Sequence, residues 1–449
     1  MIHPLLALVT AHKQDRTVGL YSVCSAHPEV LQAAMEQAKN DDSLLLIEST
    51  SNQVDQYGGY TGMTPADFVK YIEQIADGCS FPNEHLVIGG DHLGPNSWQK
   101  EQAKQAMPKA QELIRSCVKA GYRKIHLDAS MRLADDPGDA DTPLDIRTIA
   151  ERSAEMCQTA EEAGADLIET QQKPVYVIGT DVPIPGGAQK NLKSVHVTPQ
   201  AEIKQTIEIT QQAFMKLGLQ EAWKRVIAVV VQPGVEFGDG AVFEYQPDKA
   251  REIVRFIESY PHLLYEAHST DYQKVESLRQ MVHDHFAILK VGPWLTLAYR
   301  EAVFALSCIE EEWLSHSKSI ILSGIREVIE KVMLENPKYW LNHYRGNASE
   351  VKFARKYSLS DRIRYYWSEP AIQKALQKLL ANLSLQPIPL SLLSQYLPNQ
   401  YQAVRMSEIQ NRPMDLIIHK IREVTRMYSL ATRCQYINSR VSAQIYQTN

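Results

Sequence analysis

The sequence predicts an α/β fold, a (β/α)8 TIM barrel, followed by a C-terminal all-helical region. Short continuous apolar runs recur along the chain, as is typical of parallel strands buried on both faces. Amphipathic stretches long enough for crossover helices separate these runs. Polar side chains stand at the C-terminal end of nearly every run, which is the functional face of such barrels. We place the barrel in residues 1–315 and the helical region in residues 316–449.

Eight apolar runs are predicted to form the barrel strands. Eight βα units favour a closed barrel over an open, doubly wound sheet. For the fifth strand, residues 166–169 compete with residues 175–179. The predicted strands span residues 18–25, 44–50, 85–92, 124–130, 175–179, 226–232, 263–268 and 286–292.

The intervening helices carry start signals. Thr64 offers a capping hydroxyl, Pro65 suits the first helical position, and Asp67 supplies an acid three residues after the cap. Pro28 is predicted to open a helix after the first strand, and residues 102–120 to form another. Residues 183–198 are long and rich in Pro and Gly, so we expect an active-site loop or lid there.

After residue 315 the pattern becomes helical and rich in aromatic residues. Helical or turn segments are predicted at residues 336–340, 357–367, 372–383, 390–397 and 414–428. The polar stretch from residue 434 onward is expected to fray.

Composition excludes several classes of protein. The chain has 449 residues and a formal charge of −6, with Lys and Arg scattered along it, so no nucleic-acid partner is expected. The six cysteines are far apart and show no metal-ligand spacing, as in a reduced cytoplasmic protein. No apolar run is long enough to cross a bilayer, so no membrane association is expected. The P-loop signature G-x-x-x-x-G-K-[ST] does not occur, so an ATP-dependent P-loop kinase has no support.

Polar residues at the strand ends are the candidates for chemistry. Asp91 is the first candidate for a catalytic residue, because a carboxylate beside an imidazole at a strand end requires a metal or a polar substrate. Glu48 and Asp128 are further catalytic candidates. The alternative for each residue is that it only caps a strand or a helix. The candidates for substrate binding are Ser25, Asn52, Gln53, Gln232, Ser269, Asp271 and Lys290.

Two arginines of the helical region, Arg362 and Arg364, extend this set. Their guanidinium groups could reach over the barrel mouth to a phosphate. The competing interpretation is that they belong to a surface or an interface.

A divalent metal ion such as zinc is predicted at the barrel mouth. His92 and His268, from the third and seventh strands, would bind it together with Glu236 after the sixth strand. Such an ion polarises a carbonyl and stabilises an enediolate, which suits aldol cleavage or epimerisation of a ketose. Asp91 would transfer the proton. Alternatively, the two histidines bind no ion and are satisfied by neighbouring groups.

Nine sequence motifs occur in a characteristic order from the first strand into the helical region. They are CSAHP (24–28), ESTSNQV (48–54), GGYTGM (58–63), GGDHLGPN (89–96), HLDAS (126–130), VQPGVEF (231–237), YEAHSTDY (265–272), YSLSDRIRYY (357–366) and SQYLP (394–398). These motifs resemble those of the GatZ/KbaZ family, the Z subunits of D-tagatose-1,6-bisphosphate aldolase. The resemblance covers nearly the whole chain, and long motifs in this order are highly specific.

The resemblance implies that this chain supports a catalytic subunit and does not itself carry the aldol activity. In this family the Y subunit carries the aldol activity. The Z subunit is regarded as a non-catalytic, chaperone-like partner needed for full activity and stability of Y. The resemblance therefore implies that this chain forms an oligomer with a Y subunit and binds a sugar phosphate. It also implies a role in the catabolism of tagatose 6-phosphate that derives from galactitol or N-acetylgalactosamine.

The Z family is also similar to the class II zinc aldolases. Asp91 and His92 match their proton-transfer Asp and adjacent zinc-binding His, and His268 matches a later zinc His. The chain differs at Glu236, where that pattern has a further zinc His, and at residues 269–271, where it has a glycine-rich phosphate segment. The main alternative function is a metal-dependent ketose-phosphate 4-epimerase, acting on tagatose 6-phosphate and fructose 6-phosphate without a partner.

Overall fold

A computed structural model describes residues 3–138, 143–165, 172–179 and 195–433 of the chain. Most of the predicted lid, residues 183–194, lies outside the described residues, as do the competing segment 166–169 and the tail from residue 434.

Eight parallel strands, here numbered β1 to β8 in chain order, close into a barrel in which each strand pairs with its neighbours along the chain and β8 pairs with β1. Every described strand of the barrel lies within a run predicted from the sequence or extends one residue beyond it, so the predicted fold class is confirmed. The strands are β1 Leu20–Val23, β2 Leu45–Thr50, β3 Leu86–Leu93, β4 Lys124–Leu127, β5 Val175–Gly179, β6 Val226–Val230, β7 Leu264–Ala267 and β8 Phe286–Val291.

Helices surround the barrel, and among the described residues none is long and apolar enough to cross a membrane. The capping box predicted at Thr64 is present, since its hydroxyl accepts from the Asp67 N–H and the Asp67 carboxylate accepts from the Thr64 N–H. The helices of this part are Pro4–Gln14, Pro28–Asn40, Pro65–Cys79, Ala103–Ala120, Ile146–Ala165, Gln200–Lys216, Gln220–Trp223, Pro247–Ile257, Val275–His283 and Pro293–Leu314, with 3-10 turns at Asn83–His85 and Pro95–Trp98.

The C-terminal region is helical, as predicted, and packs onto the barrel. Its last helix contacts the helices Pro28–Asn40, Val275–His283 and Pro293–Leu314. The Tyr428 hydroxyl donates to the Thr270 carbonyl over 2.8 Å. The domain boundary at residue 315, between the barrel and the helical region, stays a proposal. The helices are Ile325–Glu335, Ala348–Tyr357, Pro370–Leu383, Leu390–Tyr396, Pro398–Arg405 and Pro413–Thr432, with 3-10 turns at Pro337–Tyr339 and Arg362–Tyr365.

One segment of this region, residues 337–367, contributes to the barrel mouth. Asp361 anchors it, because its carboxylate accepts from Thr296 Oγ1 over 2.6 Å and pairs with Arg300 Nε at 3.1 Å. The Leu359 N–H donates to the Asp239 carbonyl, in the turn between the antiparallel strands Glu236–Phe237 and Val242–Phe243. Asp361 has a φ of +43°, and the turn that carries Arg362 and Arg364 begins directly after it.

Candidate functional site

A cavity of about 440 Å³ opens at the C-terminal end of the barrel. This volume is in the range of small-molecule sites. Its wall combines the ends of barrel strands with residues 343–365 of the helical region. The polar residues that line it are Thr50, Asn52, Gln53, Tyr60, Asp91, His92, Asn96, Gln99, His268, Ser269, Asp271, Lys290, His343, Arg362, Arg364 and Tyr365.

Asp91 and His92 both line this cavity, although neighbours in a regular strand face opposite sides. The register of β3 against β4 shifts between Gly90 and Leu93, and His92 has a φ of +49°. A non-glycine residue in this left-handed region marks a local distortion that the surrounding structure must hold in place. The distortion brings the carboxylate and the imidazole to the same cavity.

Three imidazoles meet beneath the cavity. His268 Nδ1 lies 3.1 Å from His92 Nε2, and the ring centroids of His126 lie 5.2 Å from His92 and 5.3 Å from His268. His92 Nδ1 is 2.8 Å from an oxygen of Asp128. The predicted convergence of His92 and His268 is therefore present in the structure, and His126 joins them.

Two lysines and three carboxylates form a buried network under the histidines. Lys124 Nζ lies 2.6 Å from Glu48 and 2.7 Å from Glu266, and all three side chains are fully buried. Lys290 Nζ contacts Glu48 and lies 3.0 Å from Asp91 Oδ1 and 3.6 Å from Glu266 Oε1. Each buried charge thus has an opposite charge beside it, which is the condition for burying ions.

The charges of the site shift its pKa values in different directions. Burial favours the neutral acid of Asp91, but positive charge on His92 and Lys290 outweighs it and holds the pKa of Asp91 well below its usual value. Burial disfavours the charged form of His92, but Asp91 and Asp128 outweigh it and raise the pKa of His92. For His268 burial prevails and lowers the pKa to about 4.

Four residues offer donor atoms that fit a divalent cation. The donor atoms of Asp91, His126, Glu266 and His268 lie within 4.8 Å of one another, and all four residues are buried. His126 Nε2 is buried and has no hydrogen-bond partner among the described residues. Two imidazoles and two carboxylates are donors that zinc and similar ions bind. Of the three predicted ligands, His268 belongs to this group, and His92 lies against it.

Glu236, the third predicted ligand, does not belong to this group. Its Oε1 accepts from the N–H of Phe237, and its carboxyl group lies beside Ser269. Burial raises the pKa of Glu236 to about 7. The neighbouring Asp271 accepts from the N–H groups of Gly292 and Trp294, and burial raises its pKa to about 6. These two carboxyl groups lie near the cavity without belonging to the four-residue group.

The other predicted residues divide into two sets. Asn52, Gln53, Ser269, Asp271, Lys290, Arg362 and Arg364 line the cavity. Ser25, Gln232, Glu48 and Asp128 do not. Ser25 Oγ accepts from the His27 N–H at the start of a helix, and Gln232 Oε1 accepts from two N–H groups of its own turn. Glu48 and Asp128 lie behind the cavity wall as partners of Lys124 and His92.

Sequence reasoning missed His126 and Glu266 as possible metal ligands. The signal was present, because His126 and Asp128 are two residues apart, as are Glu266 and His268, and strand residues at this spacing face the same side. It also missed His343, Tyr60 and Tyr365, which line the cavity, although Tyr60 and Tyr365 lie within the motifs at residues 58–63 and 357–366.

The chain is similar to a known protein family and to solved structures. Residues 5–433 match the model of the family described as D-tagatose-1,6-bisphosphate aldolase subunit GatZ/KbaZ-like. A probable tagatose 6 phosphate kinase from Sinorhizobium meliloti 1021 is 40% identical, with a TM-score of 0.83 over 92% of this chain and 100% of its own. The YdjI aldolase from Escherichia coli K12 is 12% identical, with a TM-score of 0.43 over 85% of this chain and 98% of its own.

The fold and the site thus define a (β/α)8-barrel protein with a buried histidine and carboxylate cluster at its C-terminal mouth. Because the family model covers nearly the whole chain, the protein belongs to the GatZ/KbaZ-like family.

Proposed function

We propose that this protein is the Z-type subunit of a D-tagatose-1,6-bisphosphate aldolase. In this role it is a non-catalytic, chaperone-like partner required for full activity and stability of the Y subunit. It works in the cytoplasm, in the degradation of tagatose 6-phosphate derived from galactitol or N-acetylgalactosamine. Membership of a family described as a subunit of this aldolase supports the role.

The position of Lys290 supports the non-catalytic part of the proposal. Its ammonium group lies 3.0 Å from Asp91 Oδ1, the carboxylate that would have to move the proton in an aldol reaction. General bases work best with a pKa near the working pH, whereas the positive charges of His92 and Lys290 hold the pKa of Asp91 well below its usual value and make it a weak base. The chain therefore keeps the barrel and the polar cluster but weakens the group that aldol chemistry needs.

The second candidate function is the metal-dependent ketose-phosphate 4-epimerase, and the four-residue donor group favours it. His126, Glu266 and His268 would hold a divalent cation with Asp91 beside them, and the cation would supply Lewis-acid polarisation of a ketose carbonyl. Inversion at C4 would proceed by retro-aldol cleavage and re-addition to the opposite face. Asp91 would move the proton, while Asn52, Gln53 and Ser269 on the cavity wall would orient the sugar hydroxyls.

Co-expression with a Y-type subunit tests the first proposal. We expect the partner's soluble yield and its aldolase activity to rise several-fold when this chain is present. The matched control is the Y-type subunit expressed with an unrelated (β/α)8 barrel. No gain over that control would contradict the subunit role.

An assay of the purified chain tests the second candidate. The chain is incubated with tagatose 6-phosphate, fructose 6-phosphate is measured, and bound metals are determined by elemental analysis. Turnover that is lost in His268→Ala and kept in His283→Ala, an exposed histidine, would establish the epimerase. An inert, metal-free chain would eliminate it.

A further inference from the structure

We propose that Arg362 and Arg364 form a phosphate site, which holds the phosphate group of a small sugar phosphate at the end of the cavity built by the C-terminal region. The sugar would extend from there toward the histidine cluster. The inference deepens the proposed function and rests on it for the identity of the sugar. The phosphate site itself follows from the contacts of the two arginines.

Both guanidinium groups lack an acidic partner. Arg362 Nη1 donates to the Tyr339 carbonyl over 2.9 Å, and Arg364 Nη1 donates to the carbonyls of Ser360 and Asp361. These acceptors are neutral. Within the part of the chain that the structure describes, no carboxylate forms an ion pair with either guanidinium, and the Asp361 carboxylate pairs with Arg300. The charges of Asp239, Asp271 and Asp361 act on the two arginines only from beyond ion-pair distance. Two guanidinium groups thus line the cavity without a directly paired carboxylate, and burying unpaired charge is costly.

An unused donor of Arg362 points to a ligand independently. Arg362 is 5% exposed, lines the cavity, and its Nε is buried without a hydrogen-bond partner among the described residues. A buried donor of this kind costs free energy unless a ligand or a water accepts from it. A phosphate offers several acceptor oxygens and matches the planar fork of an arginine.

His343 adds a neutral hydrogen-bonding imidazole to this end of the cavity. It lines the cavity, and burial together with the charges of Arg362 and Arg364 lowers its pKa to about 4. A bound dianion would reverse the effect of the two arginines on this ring. Its neutral imidazole can meanwhile donate one hydrogen bond to a phosphate oxygen.

The arginines are held in place before any ligand binds. Arg364 Nη2 donates to the Tyr365 hydroxyl over 2.9 Å, and its guanidinium carbon lies 4.4 Å from the centre of that ring. Tyr365 in turn stacks on Tyr339 at a centroid distance of 4.9 Å. The Asp361 anchor described above fixes the start of the turn. Because both guanidinium groups are already held in place, little side-chain entropy is lost when a ligand binds.

The distribution of charge sets the orientation of the ligand. Asp91 lines the cavity beside the histidine cluster, where Lys290 is already engaged by carboxylates, whereas Asp271 lies close enough to Arg364 for the two charges to interact. A phosphate would be repelled beside Asp91 and attracted at the arginine end. Neutral hydroxyls and a carbonyl suit the Asp and His side chains. The site therefore fits a polyol or ketose that carries a phosphate at one end.

Calorimetric titration tests the phosphate site. The probes are inorganic phosphate, tagatose 6-phosphate and unphosphorylated tagatose, each added to the full chain. We expect tagatose 6-phosphate to bind at least tenfold more tightly than tagatose. Arg362→Gln and Arg364→Gln should each weaken binding of both phosphate compounds by about tenfold to a hundredfold. Arg405→Gln, which removes an exposed charge from the same region, should leave the affinities unchanged.

Thermal unfolding with and without phosphate guards against misfolded variants. Arg364→Lys keeps a positive charge but loses the fork, so we expect it to fold and to bind with intermediate affinity. The inference is overturned if the folded Arg→Gln variants bind tagatose 6-phosphate as tightly as the wild type, or if the wild type does not distinguish it from tagatose. The Z-subunit role fails separately, through the partner's yield in co-expression, and such a failure would leave the binding data intact.

Discussion

His268 Nδ1 lies 3.1 Å from His92 Nε2, with the two rings nearly perpendicular at 88°. His92 Nδ1 must donate to Asp128, because that carboxylate only accepts. If His92 were neutral, His268 Nδ1 would have to be the donor, and His268 Nε2 would present a lone pair to Glu266 Oε1 at 3.1 Å. That contact is satisfied by an additional proton or by a cation between Glu266 and His268. The proton would reside on His92, because the pKa of His92 is raised whereas those of His268 and Glu266 are lowered.

We predict that His126→Ala and His268→Ala each weaken binding of Zn²⁺ to the full chain at least tenfold, because each removes a donor atom from the four-residue group. Calorimetry or competition with a chromophoric chelator measures the affinity. His283→Ala is the control, because its side chain is 53% exposed and outside the group. Equal Zn²⁺ affinity in all three variants would remove the metal site from the barrel mouth.

Lys290→Met is expected to lower the free energy of unfolding by about 3–5 kcal/mol, because it leaves the buried carboxylate of Asp91 without its ammonium partner and Glu48 with Lys124 alone. Urea denaturation measures the change. Lys331→Met, at a side chain that is 75% exposed, should stay within about 0.5 kcal/mol of the wild type. A loss as small as that of the control would mean that Lys290 does not compensate these charges.

Gly94→Ala tests the close approach of β3 to β4 beside the site. A Cβ at Gly94 would lie 1.8 Å from the Asp128 carbonyl oxygen, so the backbone next to the Asp128–His92 pair would have to move. We expect a loss of about 3 kcal/mol in the free energy of unfolding. Gly78→Ala, in the helix Pro65–Cys79 with no atom within 4 Å, should stabilise by about 0.5–1 kcal/mol. Equal effects at the two glycines would contradict the clash.

The pair His12 and His285 predicts sensitivity to acid. His12 Nδ1 donates to the Val18 carbonyl, so its Nε2 accepts from His285 Nδ1 over 3.0 Å, and both rings are neutral. Burial is the main cause that lowers the pKa of His12 to about 4 and that of His285 to about 3. In the unfolded chain both imidazoles bind a proton as the pH falls below about 6.5. The folded protein therefore keeps its full stability above about pH 6.5, and the free energy of unfolding decreases as the pH falls toward 4.

His285→Gln should therefore flatten the pH dependence. Between pH 7 and pH 4.5 we expect the wild type to lose on the order of 2 kcal/mol more unfolding free energy than the variant. Urea denaturation at several pH values measures the difference, and the exposed His283→Gln serves as the control. Parallel curves for the wild type and His285→Gln would show that this pair does not cause the acid sensitivity.

The barrel was predictable because its signals are local. A strand such as Val226–Val230, buried on both faces, is an unbroken apolar run, and the cap at Thr64 is complete within four residues. The position of Asp91 and His92 at the cavity was also predictable, because strand ends meet at one face of a barrel. The sequence did not predict that both side chains line the same wall of the cavity, because this depends on the left-handed conformation of His92.

Glu236 and Glu266 show the limit of predicting metal ligands from their positions along the sequence. Both carboxylates belong to residues near strand ends, and the sequence favoured Glu236 as a ligand by its place after the sixth strand. Glu266 precedes His268 by two residues at the end of the same strand and lies 3.1 Å from it, whereas Glu236 turns to the N–H of Phe237. A difference of this kind is decided by the direction of one side chain.

The order of apolar runs and helix caps in the sequence was sufficient to predict the barrel. It also predicted which end of the barrel carries polar groups, because both features depend on neighbours along the chain. The counter-charges were decided only by the tertiary structure. Lys290 meets Glu48 and Asp91 across the barrel, and Arg362 and Arg364 reach the cavity from residues far along the chain without an acidic partner. Electrostatic free energy depends on distance in space and on burial, and neither can be read from separation along the chain.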